Sequence, residues 1–185
     1  MTAGAERRAD DDPGPARAGG GGRQAGPGAR SAARLAAVQA LYQMELTGAT
    51  TEAALEEFER RGSGGIIESD ATLAADRALV GRILEGVTAS AAEIDCHVED
   101  ALATEWSLPR LEVLLRAILR AGACELLLEA DVPARVIVAE YVNLAHAFFG
   151  DKETGLVNGV LDRLARRLRL SEMEAAADGG RAPRG

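Results

Sequence analysis

Apolar residues recur at helical spacing along almost the whole middle of the chain. Leu111, Leu114, Leu115, Ile118, Leu119, Gly122 and Leu126 form a wide stripe, which predicts a helix buried on most of its circumference. Ser107 would cap it, with Pro109 in its first turn, where a missing N–H does little harm. Ahead of it, Leu35, Val38, Leu41 and Tyr42 predict a first helix capped by Ser31. Leu55 and Phe58 predict a short second one capped by Thr50 or Thr51. After a break at Arg61-Gly62-Ser63-Gly64-Gly65 and past Asp70, Leu73, Leu79, Val80, Ile83, Leu84 and Val87 predict a third helix. Ala91, Ile94, Val98 and Leu102 predict a fourth, nearly continuous with it. Beyond the central stripe, Ile137, Tyr141, Leu144 and Phe148 fit a helix from Pro133 to Gly150. Val157, Val160, Leu161, Leu164 and Leu168 fit a last helix capped by Thr154, with Arg163, Arg166, Arg167 and Arg169 on its outer face. Almost nothing alternates with the period of two that a strand requires, so the expected fold is an all-α bundle of about seven helices.

One pair of residues conflicts with this pattern. Asn158-Gly159 lies inside the last stripe, although Asn-Gly is a hairpin signal and a helix-interior Gly costs about 1 kcal/mol against Ala. Gly159 is therefore expected where another backbone approaches closely, and Asn158 is expected to lock that approach with a side-chain hydrogen bond.

Composition limits the folded region. Residues 1–30 hold no Ile, Leu, Val or aromatic, and residues 171–185 end in a Gly/Ala/Pro-rich run; both are expected to be disordered tails around a domain at 31–170. The net charge is −8, and the domain carries it, with 14 basic against 22 acidic residues. Such a balance argues against an autonomous, sequence-blind nucleic-acid binder and favours a basic protein partner. Between Asp12 and Glu45 there is no acid, so Arg17, Arg23, Arg30 and Arg34 form a basic arm leading into the first helix. Arg30 and Arg34, one turn apart, share a face. Arg120 is expected to tie helices together through an acid such as Glu140.

Other chemistries find little support. Cys96 and Cys124 are isolated, and His97 and His146 have no ligand at metal-binding spacing, so free thiols, no metal and no cofactor are expected. Gly19 to Gly22 lack the following Lys-Ser or Lys-Thr of a phosphate loop. No nucleophile–base arrangement suggests an enzyme. No signal-like segment follows Met1 and no long apolar run could span a membrane, which points to the cytoplasm.

Four short segments, in order, carry a family resemblance. They are Ala37-Val38-Gln39-Ala40-Leu41-Tyr42-Gln43; Ile118-Leu119-Arg120-Ala121 with Glu125-Leu126; Asp131-Val132-Pro133 with Val136, Glu140, Leu144-Ala145 and Phe148; and Val157-Asn158-Gly159-Val160-Leu161-Asp162. Together they resemble the NusB family of bacterial transcription antitermination factors across essentially all of 31–170. The resemblance implies an all-α bundle in two subdomains. It also implies pairing with the ribosomal protein NusE, joint binding of the boxA element of nascent ribosomal RNA, and read-through of terminators by RNA polymerase, contacted indirectly.

On this resemblance the expected RNA contacts are Arg23, Arg30, Arg34, Lys152 and Leu156, and the expected partner contacts are Tyr42, Gln43, Arg116 and Asn158. The chain departs from the family in two places. Ser31, Ala32 and Ala33 interrupt the arginine cluster common ahead of the first helix. Gly155 and Leu156 stand where a Lys and a base-stacking Phe are often found, which leaves Lys152, the only lysine, as the expected cation. RNA affinity without the partner should therefore be weak. Two other readings are an accessory domain of an RNA cytosine methyltransferase, which would need an α/β domain beyond Gly185, and a homodimer that hides the RNA face.

Overall fold

The computed structural model describes residues 27–62 and 76–178. Within them are eight α-helices: α1 (Pro27–Thr47), α2 (Thr51–Gly62), α3 (Arg77–Ala89), α4 (Ala91–Ala101), α5 (Val113–Leu128), α6 (Ala134–His146), α7 (Asp151–Leu168) and α8 (Leu170–Asp178). A single 3-10 turn, Leu108–Arg110, precedes α5. There is no strand among the described residues. Leu73 and Arg23 lie outside them, as do the bulk of the expected N-terminal tail and the glycine-rich break from residue 63 onward.

The central stripe does become the central helix. From Ala117 to Leu126, α5 is buried at every position but Arg120, and it packs against α1, α3, α4, α6 and α7. Two groups of helices surround it: α1 and α3, with α2 packed on those two, and α4, α6 and α7. Gly122 makes the second junction tight, because a Cβ there would sit 2.9 Å from Leu161 Cδ1 and 3.2 Å from the Tyr141 ring. The fully buried Ile83, Ile94, Ile118, Leu119, Ile137, Leu161 and Leu164 belong to one continuous core, each contributing about 1.5–3 kcal/mol of hydrophobic stabilisation.

Several caps differ from expectation. Helix α1 begins at Pro27, four residues before Ser31, because proline's fixed φ suits a first turn. The Ser31 hydroxyl instead donates to Glu140 Oε2 on α6. Thr50 does cap α2, accepting from Ala53 N at 3.3 Å. The α1–α2 turn uses Gly48 at φ +71, whose N–H bonds Met44 O at 2.8 Å, a left-handed helix end that glycine adopts without strain. Asp76 caps α3 by accepting from Leu79 N at 3.1 Å. Ser107 precedes the 3-10 turn that holds Pro109, and α5 starts only at Val113. Gly150 is the N-cap of α7 and not the end of α6, which stops at His146. Thr154 lies inside α7 with its hydroxyl oxygen buried and without a hydrogen bond among the described residues, so it is no cap.

The C-terminal boundary also moves. Residues from 171 onward were expected as tail, yet 171–178 continue α8 from Leu170, and Met173 is only 5 % exposed in the core. Two polar side chains fasten this end. Arg169 donates from Nε to Leu126 O at 3.0 Å, from Nη1 to Val132 O at 2.8 Å, and from Nη2 to Glu129 O. Glu172, paired with Arg169 at 3.3 Å, accepts the backbone N–H of Ala134 at the start of α6. The orphan carbonyls at the end of α5 and an orphan amide of α6 are thus satisfied from one turn of chain.

Candidate nucleic-acid interface

Arg34, expected to face RNA, is instead a core residue. Its side chain enters the bundle at 3 % residue exposure and meets Glu125, which is 1 % exposed. Nε donates to Glu125 Oε2 at 2.9 Å, Nη2 donates to Glu125 Oε1, and Nη1 reaches Glu140 Oε2 at 3.2 Å. The Tyr141 hydroxyl donates to the same Glu125 oxygen at 3.0 Å. Burial disfavours the guanidinium's charge, but the hydrogen bond and Coulomb attraction of Glu125 outweigh it, and the Arg34 pKa stands above its usual value. Burial, and then the charge of Glu125, push the Tyr141 hydroxyl well above its usual range. With its donors committed inside the fold, Arg34 joins α1 to α5 and α6 and has no reach toward a phosphate.

Arg116 is corrected on the same grounds. It pairs with Glu45 and donates from Nη1 to Leu108 O at 3.1 Å and Leu111 O at 3.0 Å, so it secures the 3-10 turn and is spent within the fold. Arg120 does tie helices together, but through Asp95, at 2.7 Å from both Nε and Nη2, and through Glu45 at 3.1 Å. The Asp95 hydrogen bond, set against burial, holds its pKa above the usual value. Glu140 belongs to Arg34 and Ser31.

The Asn158-Gly159 expectation fails for a different reason. Asn158 is exposed, and a Cβ on Gly159 would meet only the tip of Arg163 at 3.7 Å. No backbone of the described residues approaches there; their close approaches are at Gly122 and at Gly86, where a Cβ would lie 2.6 Å from Cys124 Sγ and from Leu128 Cδ1.

Some cations of the described chain keep no acidic partner within it. Arg30 is half-buried near the start of α1, and Arg77 is exposed at the start of α3. Those two helix starts are joined by the bond from Asp76 N to Ala29 O at 3.0 Å, so the two arginines share one end of the bundle. Arg77 carried no signal of its own in the sequence, since the segment before it gave no hint that α3 would begin beside α1. A second group lies at the α4–α5 connection. Lys152 is exposed in the first turn of α7, with its Nζ 4.8 Å from the centroid of the Trp106 ring. Leu156 is half-buried one turn further along the same face of α7. Arg110, exposed in the 3-10 turn, follows Trp106 by four residues. Trp106 was not anticipated, although it is the only tryptophan and stands in a polar connection just ahead of Pro109.

Tyr42 is half-buried and Gln43 exposed on α1. Among the described residues no group of three or more His, Cys, Asp or Glu is placed to hold a metal, and no helix is long and apolar enough to cross a membrane.

Comparison with known proteins places this architecture. The NusB family profile matches residues 31–166. Transcription antitermination protein NusB of Nitrobacter hamburgensis is 50 % identical over 143 residues, covering 77 % of this chain and 89 % of the relative. Among solved structures, NusB of T. maritima superposes with a TM-score of 0.65 at 29 % identity, covering 82 % of this chain and 99 % of that one. A crystal structure of the antitermination factors NusB and NusE with double-stranded RNA contains a chain that matches with a TM-score of 0.59 at 27 % identity, covering 74 % of this chain and 96 % of that one.

Proposed function

This chain belongs to the NusB family, and on that footing we propose that it is a non-catalytic transcription antitermination factor of the cytoplasm. It binds the boxA element of ribosomal RNA transcripts together with NusE and promotes read-through by RNA polymerase. The observation that carries this reading is the 50 % identity to an antitermination protein across 143 residues, nearly the full length of that relative.

The charge distribution supports a joint rather than a solitary RNA binder. A folded region with eight more acids than bases repels a polyanion on average, so RNA must meet local cations and whatever positive surface a basic ribosomal partner adds. Arg30 with Arg77 at one end of the bundle, and Lys152 with Leu156 on α7, are the RNA contacts on this reading. Arg23 joins them from the segment ahead of α1. Tyr42, Gln43 and Asn158, each with accessible surface, are the partner contacts.

The test is boxA RNA binding by the chain alone and with NusE, at two salt concentrations. Tight, salt-sensitive binding only with NusE is expected. Arg30→Ala should weaken it and lower the salt slope by about one. Binding of boxA no tighter than of a scrambled oligonucleotide, with NusE present, would refute the proposal.

A further inference from the structure

We propose that Trp106 and Lys152 form a single-nucleotide subsite, with the indole stacking one unpaired base and the ammonium pairing with the adjoining phosphate. The inference rests on the RNA-binding reading above and adds a residue to it. Helix α7 offers no ring of its own at Gly155 or Leu156. The ring comes instead from the α4–α5 connection, where Trp106 N bonds Ala103 O at 2.9 Å and the side chain packs partly against the core. One side of the indole is thereby anchored while the residue as a whole stays half-buried. Arg163 fixes the start of this connection by donating to Ala101 O, and Arg116 fixes its end through Leu108 O and Leu111 O. The platform is therefore held in place before any ligand arrives, which lowers the ordering cost of stacking.

The cation is equally specific. Most arginines on this acidic surface are paired with carboxylates, whereas Lys152 rests against the Trp106 ring and Arg110 nearby has no acid partner among the described residues. Magnitudes favour exchange of one contact for the other. An exposed cation–π contact is worth about 2- to 5-fold in an equilibrium, while base–aromatic stacking is worth about 5- to 150-fold by alanine substitution. A base can therefore displace the lysine from the ring, and the freed ammonium gains a phosphate in return. An arriving nucleotide satisfies both groups together.

The single tryptophan makes the test direct. The full chain, with a NusE whose own tryptophans, if any, are replaced by phenylalanine, is titrated with single-stranded boxA RNA. Indole emission and the anisotropy of a labelled RNA are followed in parallel. Expected is quenching that tracks the anisotropy curve, a loss of about 5- to 150-fold in affinity for Trp106→Ala with a smaller loss for Trp106→Phe, and a salt slope reduced by about one for Lys152→Gln. The wild-type quenching needs no variant, so a Trp106→Ala chain that misfolds does not blunt the test. Full-affinity binding with unchanged emission would overturn the subsite and leave the RNA reading intact. Absence of selective binding in the anisotropy channel would overturn both. An emission change complete on adding NusE, before any RNA, would assign the face to the protein partner and overturn the proposal.

Discussion

Replacing Arg34 by methionine isolates the buried ion pair. Methionine preserves much of the volume and leaves the Glu125 carboxylate, 1 % exposed, with the Tyr141 hydroxyl as its remaining donor among the described residues. Breaking a buried pair from one side costs about 3–5 kcal/mol. The loss at pH 7 should thus be about 3–5 kcal/mol. Adding Glu125→Gln removes the stranded charge and leaves a neutral acceptor for Tyr141, which should recover most of that loss. Urea unfolding of wild type, single and double variants at pH 7, followed by Trp106 emission and far-UV circular dichroism, measures each quantity. A deficit below about 1 kcal/mol for Arg34→Met, or no recovery in the double variant, would show that Arg34 and Glu125 do not meet as a buried charged pair.

Three further outcomes follow from the packing. Gly159→Ala should stabilise by about 0.5–1 kcal/mol in thermal or urea unfolding, since helix propensity improves and the new methyl meets only the tip of Arg163 at an ordinary 3.7 Å, whereas Gly122→Ala should destabilise by about 1–2 kcal/mol because its methyl meets the buried Leu161 and Tyr141. Exposed Cys96 should react at once with a disulfide reagent, while Cys124, whose thiol burial pushes up to about 12, should react only as the chain unfolds. Because that affinity is raised in the folded state, Cys124 favours folding below about pH 9 and this contribution fades as pH rises toward 12. Glu172→Ala should cost about 1 kcal/mol in urea unfolding by removing the acceptor at the start of α6 and the partner of Arg169.

The helices were legible because burial imposes a period that no single residue can hide, and the stripe through Ile118 and Leu126 identified the central helix by itself. The functional reading of Arg34 failed because charge in a helix is normally solvated, and its acids lie 91 and 106 residues away. Nothing local marks such a pairing. Gly122 and Gly159 look alike in sequence; only the neighbour across the gap distinguishes them. Helix α8 was missed because Met173 alone is a sparse signal in an Ala- and Glu-rich stretch, and its burial depends on the earlier helices forming the surface it covers. Trp106 and Lys152, 46 positions apart, carried meaning only once the connection before α5 was placed against the start of α7.

The clasp made by Arg169 and Glu172 gives this bundle a direction in time. During synthesis the whole of α5, the turn after it and α6 emerge with the carbonyls of Leu126, Glu129 and Val132 lacking their arginine, and the amide of Ala134 lacking its acceptor. Water must serve these groups until residues 169 to 172 arrive. The turn between the two helices is therefore the natural last seam to close in a nascent chain. It is also the first place where a ribosome-stalled or prematurely terminated product would remain open to a protease.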